Sequence, residues 1–319
     1  MDILNFERKH IEEASSIAHA NYCNERKFVK ELPQVCDIPD LNSFAENGLG
    51  VVAFEDKKMI GFLGCCDPFD NAFRATDVRG VFSPIGANAA VPENCSKIYA
   101  AMYQAAGAKW VKAGAVSHAI CLYAHNEELW RQFFLYGFGL RCLDAIRPME
   151  LIDCEPCENY DFTELPKDEF YLVYPLHLAL YRHYCKSPFF MNRKPETEEE
   201  FTASSMQDGG RYFAAKQNGK LCAFLKISAS GETFVATGNT YRHIRGAYCL
   251  PEHRGKGVYQ NLLNFTISTL KREGYTRLGV NFESFNPTAR GFWLKYFTAY
   301  TNSVVRRVDE RITQLNCPF

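Results

Sequence analysis

Leu250-Pro-Glu-His-Arg-Gly-Lys-Gly-Val-Tyr259 is the stretch on which the reading of this chain turns. The apolar run before it, Gly246-Ala-Tyr-Cys-Leu250, predicts a strand. After it, Tyr259, Leu263, Ile267 and Leu270 form one helical stripe, which Gly274 ends. Strand, glycine loop and helix in that order set free backbone N–H groups and the positive end of a helix dipole against an anion. Gly255 and Gly257 leave the loop without Cβ atoms, so a phosphate can approach the backbone. Arg254 and Lys256 add positive charge. No Gly-Lys-Ser/Thr follows at the P-loop spacing, and the Rossmann pattern G-x-G-x-x-G is absent.

The 319 residues suffice for two domains. Hydrophobic residues make up 47% and charged residues 23%, the balance of a globular chain with a sizeable core. A net charge of −1 argues against nucleic acid as the main partner, because phosphate-backbone binding needs clustered Lys and Arg. No apolar run is long enough to span a membrane, and the start, Met1-Asp-Ile-Leu-Asn-Phe-Glu, does not read as a signal peptide. The 13 cysteines are odd in number and scattered, which points to reduced thiols and a cytoplasmic location. Cys154-Glu-Pro-Cys157 lacks the two further ligands of a zinc site, so no metal is expected.

The chain is also a repeat. Val51-Val-Ala-Phe54 and Lys58-Met-Ile-Gly-Phe-Leu63 flank a charged turn and predict a hairpin. Phe213-Ala-Ala-Lys216 and Lys220-Leu-Cys-Ala-Phe-Leu225 predict another, 162 positions later. Ala119-Ile-Cys-Leu-Tyr123 reads as a buried strand, followed by Asn126 as a helix N-cap. Leu278-Gly-Val-Asn-Phe282 repeats it, with Asn286 as N-cap and Pro287 at the first helical position, 160 residues after Asn126. A near-constant offset at two separate features indicates duplication of one α/β (α+β) unit, a mostly antiparallel sheet flanked by helices. The polar segment Leu151–Asn159 marks the junction, giving domains 1–152 and 158–319.

Arg254-x-x-Gly257 between a strand and a helix resembles the pyrophosphate loop of the GNAT acyltransferases, Gln/Arg-x-x-Gly-x-Gly/Ala, with Tyr259 at the sixth position. The element order of each half is similar to that fold, and Asn126 with Gly137-Phe138 resembles the family's Asn…Gly-Phe helix signature. The chain thus resembles tandem GNAT domains. The first half carries Ser83-Pro-Ile-Gly-Ala-Asn-Ala-Ala-Val-Pro-Glu93 in place of the loop, with one glycine and no basic residue, and reads as a degenerate copy.

The resemblance implies transfer of an acyl group from acetyl-CoA, usually to an amine. Residues 254–259 (Arg254, Gly255, Lys256, Gly257, Val258, Tyr259) would hold the pyrophosphate. The pantetheine arm would lie between strands at 243–250 and 277–283, pairing with backbone groups of Cys249 and Leu250. A backbone N–H there would polarise the thioester carbonyl. Asn286 matches the family asparagine that contacts the CoA arm, and an N-cap role alone would also explain it. An alkyl ammonium must lose a proton before it attacks. His243 and Glu283, at the ends of the two strands, are candidates for the base; an ordinary strand end and a solvated charge are the plainer readings. The family's acid, often a Tyr seven residues after the Asn, is replaced by Trp293, whose indole N–H is no acid here, and Tyr296 is a weak substitute. Cys249 has no His or Asp constellation of a nucleophile.

The leading expectation is therefore an N-acetyltransferase for a small-molecule (or peptide) amine bound near the junction of the two domains, with homo-oligomerisation possible. A non-catalytic acyl-CoA-binding protein and an aminoacyl-tRNA-dependent transferase are the alternatives. The near-neutral charge and the retained glycine loop weigh against the last.

Overall fold

A computed structural model describes residues 1–34, 37–74 and 77–314. In chain order the elements are β1 (Asp2–Asn5), α1 (Ile11–Glu25), α2 (Asn42–Glu46), β2 (Val51–Glu55), β3 (Lys58–Leu63), β4 (Gly80–Ser83), β5 (Asn88–Ala90), α3 (Cys95–Lys112), β6 (Ser117–Tyr123), α4 (Glu127–Leu135) and β7 (Gly139–Pro148). There follow β8 (Asp161–Glu164), α5 (Tyr174–Tyr184), α6 (Glu198–Gln207), β9 (Arg211–Gln217), β10 (Lys220–Ser228), β11 (Tyr241–Cys249), α7 (Val258–Arg272), β12 (Arg277–Glu283), α8 (Pro287–Tyr296), β13 (Thr298–Ala299) and β14 (Thr301–Arg307). The fold is α/β, with mixed sheets flanked by helices. Both hairpins, both Asn N-caps and the helix after the glycine loop form where the sequence places them.

The chain divides into two compact units that are not uninterrupted in sequence. The first is Met1–Asp144 with Thr233–Val235 and Ala299–Phe319; the second is Ala145–Glu232 with Ala236–Thr298. In the first unit, β1-β2-β3-β5 form one sheet. Alternation along its strands divides the core: Val51 and Ala53 pack with Ile98, Met102, Ala106 and Trp110 of α3, while Val52 packs with Ala14 and Ala18 of α1. The same unit holds β4, β6, β14 and the start of β7, where the last strand of the chain pairs antiparallel with β6 from Thr301↔Tyr123 to Arg307↔Ser117. Val304, fully buried, enters the α3 core. A division of the repeat along the chain, as at 1–152 and 158–319, thus differs from the grouping by contact, because β14 comes from the far end of the sequence.

In the second unit the strand order is β12-β11-β10-β9-β8. All pairs are antiparallel except β11 with β12. Leu262, Leu263, Ile267 and Leu270 of α7 are buried, and Phe265 meets Phe213 of β9. On the other side Tyr212, Phe224 and Tyr248 pack with Phe170 and Phe201. The described cysteines are free thiols; Cys36 and Cys317 lie outside the described residues. Among the described residues no helix is long and apolar enough to cross a membrane, and no group of His, Cys, Asp or Glu is placed to hold a metal ion.

Candidate active site

The site begins with a fault in the sheet. β10 and β11 stay in register from Ala223↔Cys249 to Lys226↔Gly246, and the next pair is Ile227↔Ile244. Arg245 is thus an extra residue on β11, a β-bulge. The parallel ladder of β11 with β12 runs from Tyr241↔Arg277 and stops at Ile244↔Val280, at the bulge. Both strands continue, to Cys249 and Glu283. Past the bulge they form no described ladder.

β11 leads into the glycine loop. Arg254 does not point freely outward: its Nε donates to Cys249 O at 2.9 Å and its guanidinium lies 5.4 Å from the Tyr248 ring centre. Gly257 is the N-cap of α7 at φ 76°, in the left-handed region, and supplies no side-chain cap. The first-turn N–H groups of α7 thus depend on another partner. Val258 is fully buried and fixes the start of the helix. Tyr259, the departure at the sixth position, turns inward. Its half-buried ring stands edge-on to Phe292 at 5.1 Å, and its hydroxyl donates to Phe224 O at 3.2 Å. The side chain packs inward on Phe292 and does not itself cover the loop backbone.

A strap crosses this loop. Asn264 accepts from Ile152 N and donates to Ile152 O, each at 2.8 Å. Asn261 donates to Glu155 O at 2.9 Å and to Gly257 O at 3.0 Å. Tyr160 Oη lies 2.9 Å from His253 Nδ1. A Cβ on Gly257 would be 3.8 Å from both Cys157 Cβ and Glu155 O. Strap and loop bound a depression of about 600 Å³ in which Asp153, Glu155 and Glu158 face Lys256, Lys295 and Tyr296. Nothing in the composition of 151–159 signalled this placement.

The expected catalytic residues fare unequally. His243 is 1% exposed, with Nδ1 2.7 Å from Tyr241 Oη and Nε2 3.1 Å from Asn281 Oδ1. Burial lowers its pKa to about 4, aided by nearby Arg245 and opposed by the bond to Asn281. A base needs a free nitrogen within reach of the proton it takes, and His243 has none; the expectation for it is corrected on that ground. Glu283 is largely covered and paired with Arg193 Nη2 at 3.2 Å. Tyr296 lines the depression beside Lys256. Trp293 is buried against Phe297 and Phe292, a core residue. Asn286 caps α8, accepting from Ala289 N at 3.1 Å and Thr288 Oγ1 at 2.8 Å. Burial pushes the Cys249 thiol up to about 12, which leaves it unreactive.

Two partners were not anticipated. Arg193 stacks on Tyr184 at 5.0 Å while holding Glu283. Tyr248 stands between Arg254 and His183, and burial raises its pKa while Arg254 opposes the shift. Tyr181, His183, Tyr184, Phe189 and Phe190 are rich in rings, and the fold brings His183 and Phe189 to the end of β11 at Tyr248.

Residues 177–297 match the sequence model of the acetyltransferase (GNAT) family. Among solved structures, a GCN5-related N-acetyltransferase from Sphaerobacter thermophilus superposes with a TM-score of 0.55 at 11% identity, over 92% of this chain and 91% of that one. A GCN5-related glucosamine N-acetyltransferase region of a fungal multi-domain GH3 β-N-acetylglucosaminidase gives 0.54 at 12% identity, over 95% of this chain and 38% of that one. Such identities speak for a shared fold. No curated protein sequence matches. The bulge of β11 and the glycine loop both lie inside the matched segment, so residues 177–297 form an acetyltransferase domain of the GNAT type, the acyltransferase part of the chain.

Proposed function

We propose that the protein transfers the acetyl group of acetyl-CoA to the amine of a small molecule, with one CoA site per chain, in the second unit. The observation that supports this most is the end of the β11–β12 ladder at Ile244↔Val280, directly ahead of the uncapped N-terminus of α7. Freed backbone on 245–249 would take the pantetheine arm, and a backbone N–H there would stabilise the oxyanion. The first turn of α7 and Lys256 would take the pyrophosphate. Asn286 would meet the arm from the start of α8. In the first unit Ser83 to Glu93 lacks a comparable loop, which supports reading it as a degenerate copy without its own CoA.

The acceptor would enter beside Tyr248, Phe189 and Phe285, the last two 5.9 Å apart. Calorimetric titration with acetyl-CoA tests the reading, with release of free CoA thiol followed in the presence of a panel of primary amines. Stoichiometry near one and amine-dependent thiol release are expected. Absence of acetyl-CoA binding would overturn the proposal.

A further inference from the structure

His183, in the last turn of α5, stands at the open end of the diverging strands. Its ring lies 6.2 Å from that of Tyr248 on β11 and 4.8 Å from Phe189, and Phe189 continues the contact to Phe285, two residues beyond β12. A row of rings thus runs from one strand end to the other. Among the described residues neither ring nitrogen of His183 has a hydrogen-bond partner, and neither is sealed from solvent. The other described histidines of this unit are occupied or enclosed. His243 has both nitrogens engaged. His177 is packed between Tyr181 and Phe201 with Nε2 closed off. His253 is bound to Tyr160.

We propose that His183 is the proton acceptor for the incoming amine. The proposal rests on the acetyl-transfer reading above and names the base it lacks once His243 is excluded. The groups facing the imidazole are Arg254 from the loop, Lys186 from the turn after α5, Tyr184 and Tyr248. Burial first, then the charges of Arg254 and Lys186, lower its pKa, so the ring is neutral at neutral pH and has a lone pair to offer.

The acceptor's ammonium gives one proton to the imidazole. Its freed lone pair forms the N–C bond to the thioester carbonyl, and collapse of the adduct breaks the C–S bond. The sulfur leaves with that electron pair and takes up a second of the nitrogen's protons, directly or through water. The third stays on the amide, and the imidazolium releases its proton to solvent. Products are the acetamide, CoA thiol and one proton.

The test uses the full-length protein, acetyl-CoA and 2-phenylethylamine, whose ring suits the aromatic lining. His183→Gln should lower kcat/KM by a factor of about 10² or more, with acetyl-CoA affinity within about twofold of the parent. Its pH–rate profile should also lose the acid limb that the parent shows below the ordinary imidazole pKa, an effect that loss of packing alone would not produce. A limb that persists in His183→Gln overturns the proposal. Independently of turnover, diethylpyrocarbonate should carbethoxylate His183 and not His243 in the folded protein, and saturating acetyl-CoA should slow the reaction at His183 severalfold. Modification of His183 indifferent to bound acetyl-CoA overturns the assignment as well. If calorimetry shows no acetyl-CoA binding at all, the acetyl-transfer reading itself has failed.

Discussion

Tyr241 and His243 hold each other on one face of β11, the phenol oxygen 2.7 Å from Nδ1. Asn281 on β12 completes the set at Nε2. The opposing residue is Gly279, where a Cβ would collide with the Tyr241 hydroxyl and lie 3.0 Å from His243 Nδ1. The pair is built into the sheet just below the point where β11 and β12 part.

Acid should expose this arrangement. Burial depresses the pKa of His118, His177 and His243 to about 4 each. As pH falls below the ordinary value near 6.5, the unfolded chain protonates these rings and the folded chain does not until pH approaches 4. Unfolding then takes up protons, so stability declines as pH drops from 6.5 towards 4 and the contribution levels off below. Urea denaturation across that window should show it, and replacing His243 with Gln should reduce the proton uptake by about one. An unchanged pH slope in His243→Gln would contradict the burial argument.

Gly279→Ala tests the same pair from the other strand. The methyl group would meet the Tyr241 hydroxyl, and neither Tyr241 nor His243 has room to withdraw, both being about 1% exposed. Overpacking of this kind costs roughly 1–3 kcal/mol. A lowered Tm in Gly279→Ala, partly restored by adding Tyr241→Phe, is the expected result. Equal destabilisation in both variants would place the strain elsewhere.

Tyr259 separates two readings of a departure from the family pattern. If its bulk obstructed the phosphates, Tyr259→Ala would tighten CoA binding. The ring is instead edge-on to Phe292 and Trp293. Truncation should cost less than the roughly 3–5 kcal/mol of a fully buried aromatic, because the ring is half-buried, with no gain in affinity. Tyr259→Phe removes only the bond to Phe224 O and should cost about 1 kcal/mol. Thermal melts with and without acetyl-CoA read both quantities.

The fold was legible because it rests on short-range patterns. The alternating hairpins at 51–63 and 213–225, the stripe behind Gly257 and the two Asn-capped helices each fit within a short window, and each forms as the pattern requires. What the windows missed is set by long-range pairing. β14 finds β6 across most of the chain's length, and no local pattern names that partner. His243 looked like a strand-end base because its polarity was visible. The partners that consume that polarity, Tyr241 and Asn281, are fixed only by strand register. Arg193 reaches Glu283 from 90 residues away. In the sequence His183 is one ring among several in a helical stretch, and only the packing of α5 against the end of β11 gives its free nitrogens a place to act.

The loop itself should answer to backbone geometry rather than to space. A Cβ on Gly257 meets Asn261 Nδ2 at 3.6 Å and the strap at 3.8 Å, ordinary contacts, but φ is 76°. Gly257→Ala should therefore cost roughly 1 kcal/mol through the left-handed backbone. It should weaken acetyl-CoA binding by more than that, since the added methyl faces the segment that the phosphates approach. Calorimetry on a variant shown to be folded by circular dichroism checks this; unaltered affinity would remove the loop from the CoA site.

The strap carries charge of the wrong sign for the CoA phosphates proposed to bind beside it. Asp153, Glu155 and Glu158 line the depression with Lys256, while the backbone of the strap is fixed through Asn261 and Asn264. At a separation of about 8 Å in water, each carboxylate would oppose a phosphate charge by about 0.5 kcal/mol. The combined Asp153→Asn, Glu155→Gln, Glu158→Gln variant should thus bind acetyl-CoA severalfold more tightly at low ionic strength. The advantage should shrink as salt is raised, because these groups are exposed to solvent and screened within about 10 Å at 0.1 M. Dephospho-CoA, with fewer phosphate charges, should gain less from the same substitutions. Equal gains for the two ligands, or a gain that survives high salt, would mean that the carboxylates act through the conformation of the strap and not through their charge.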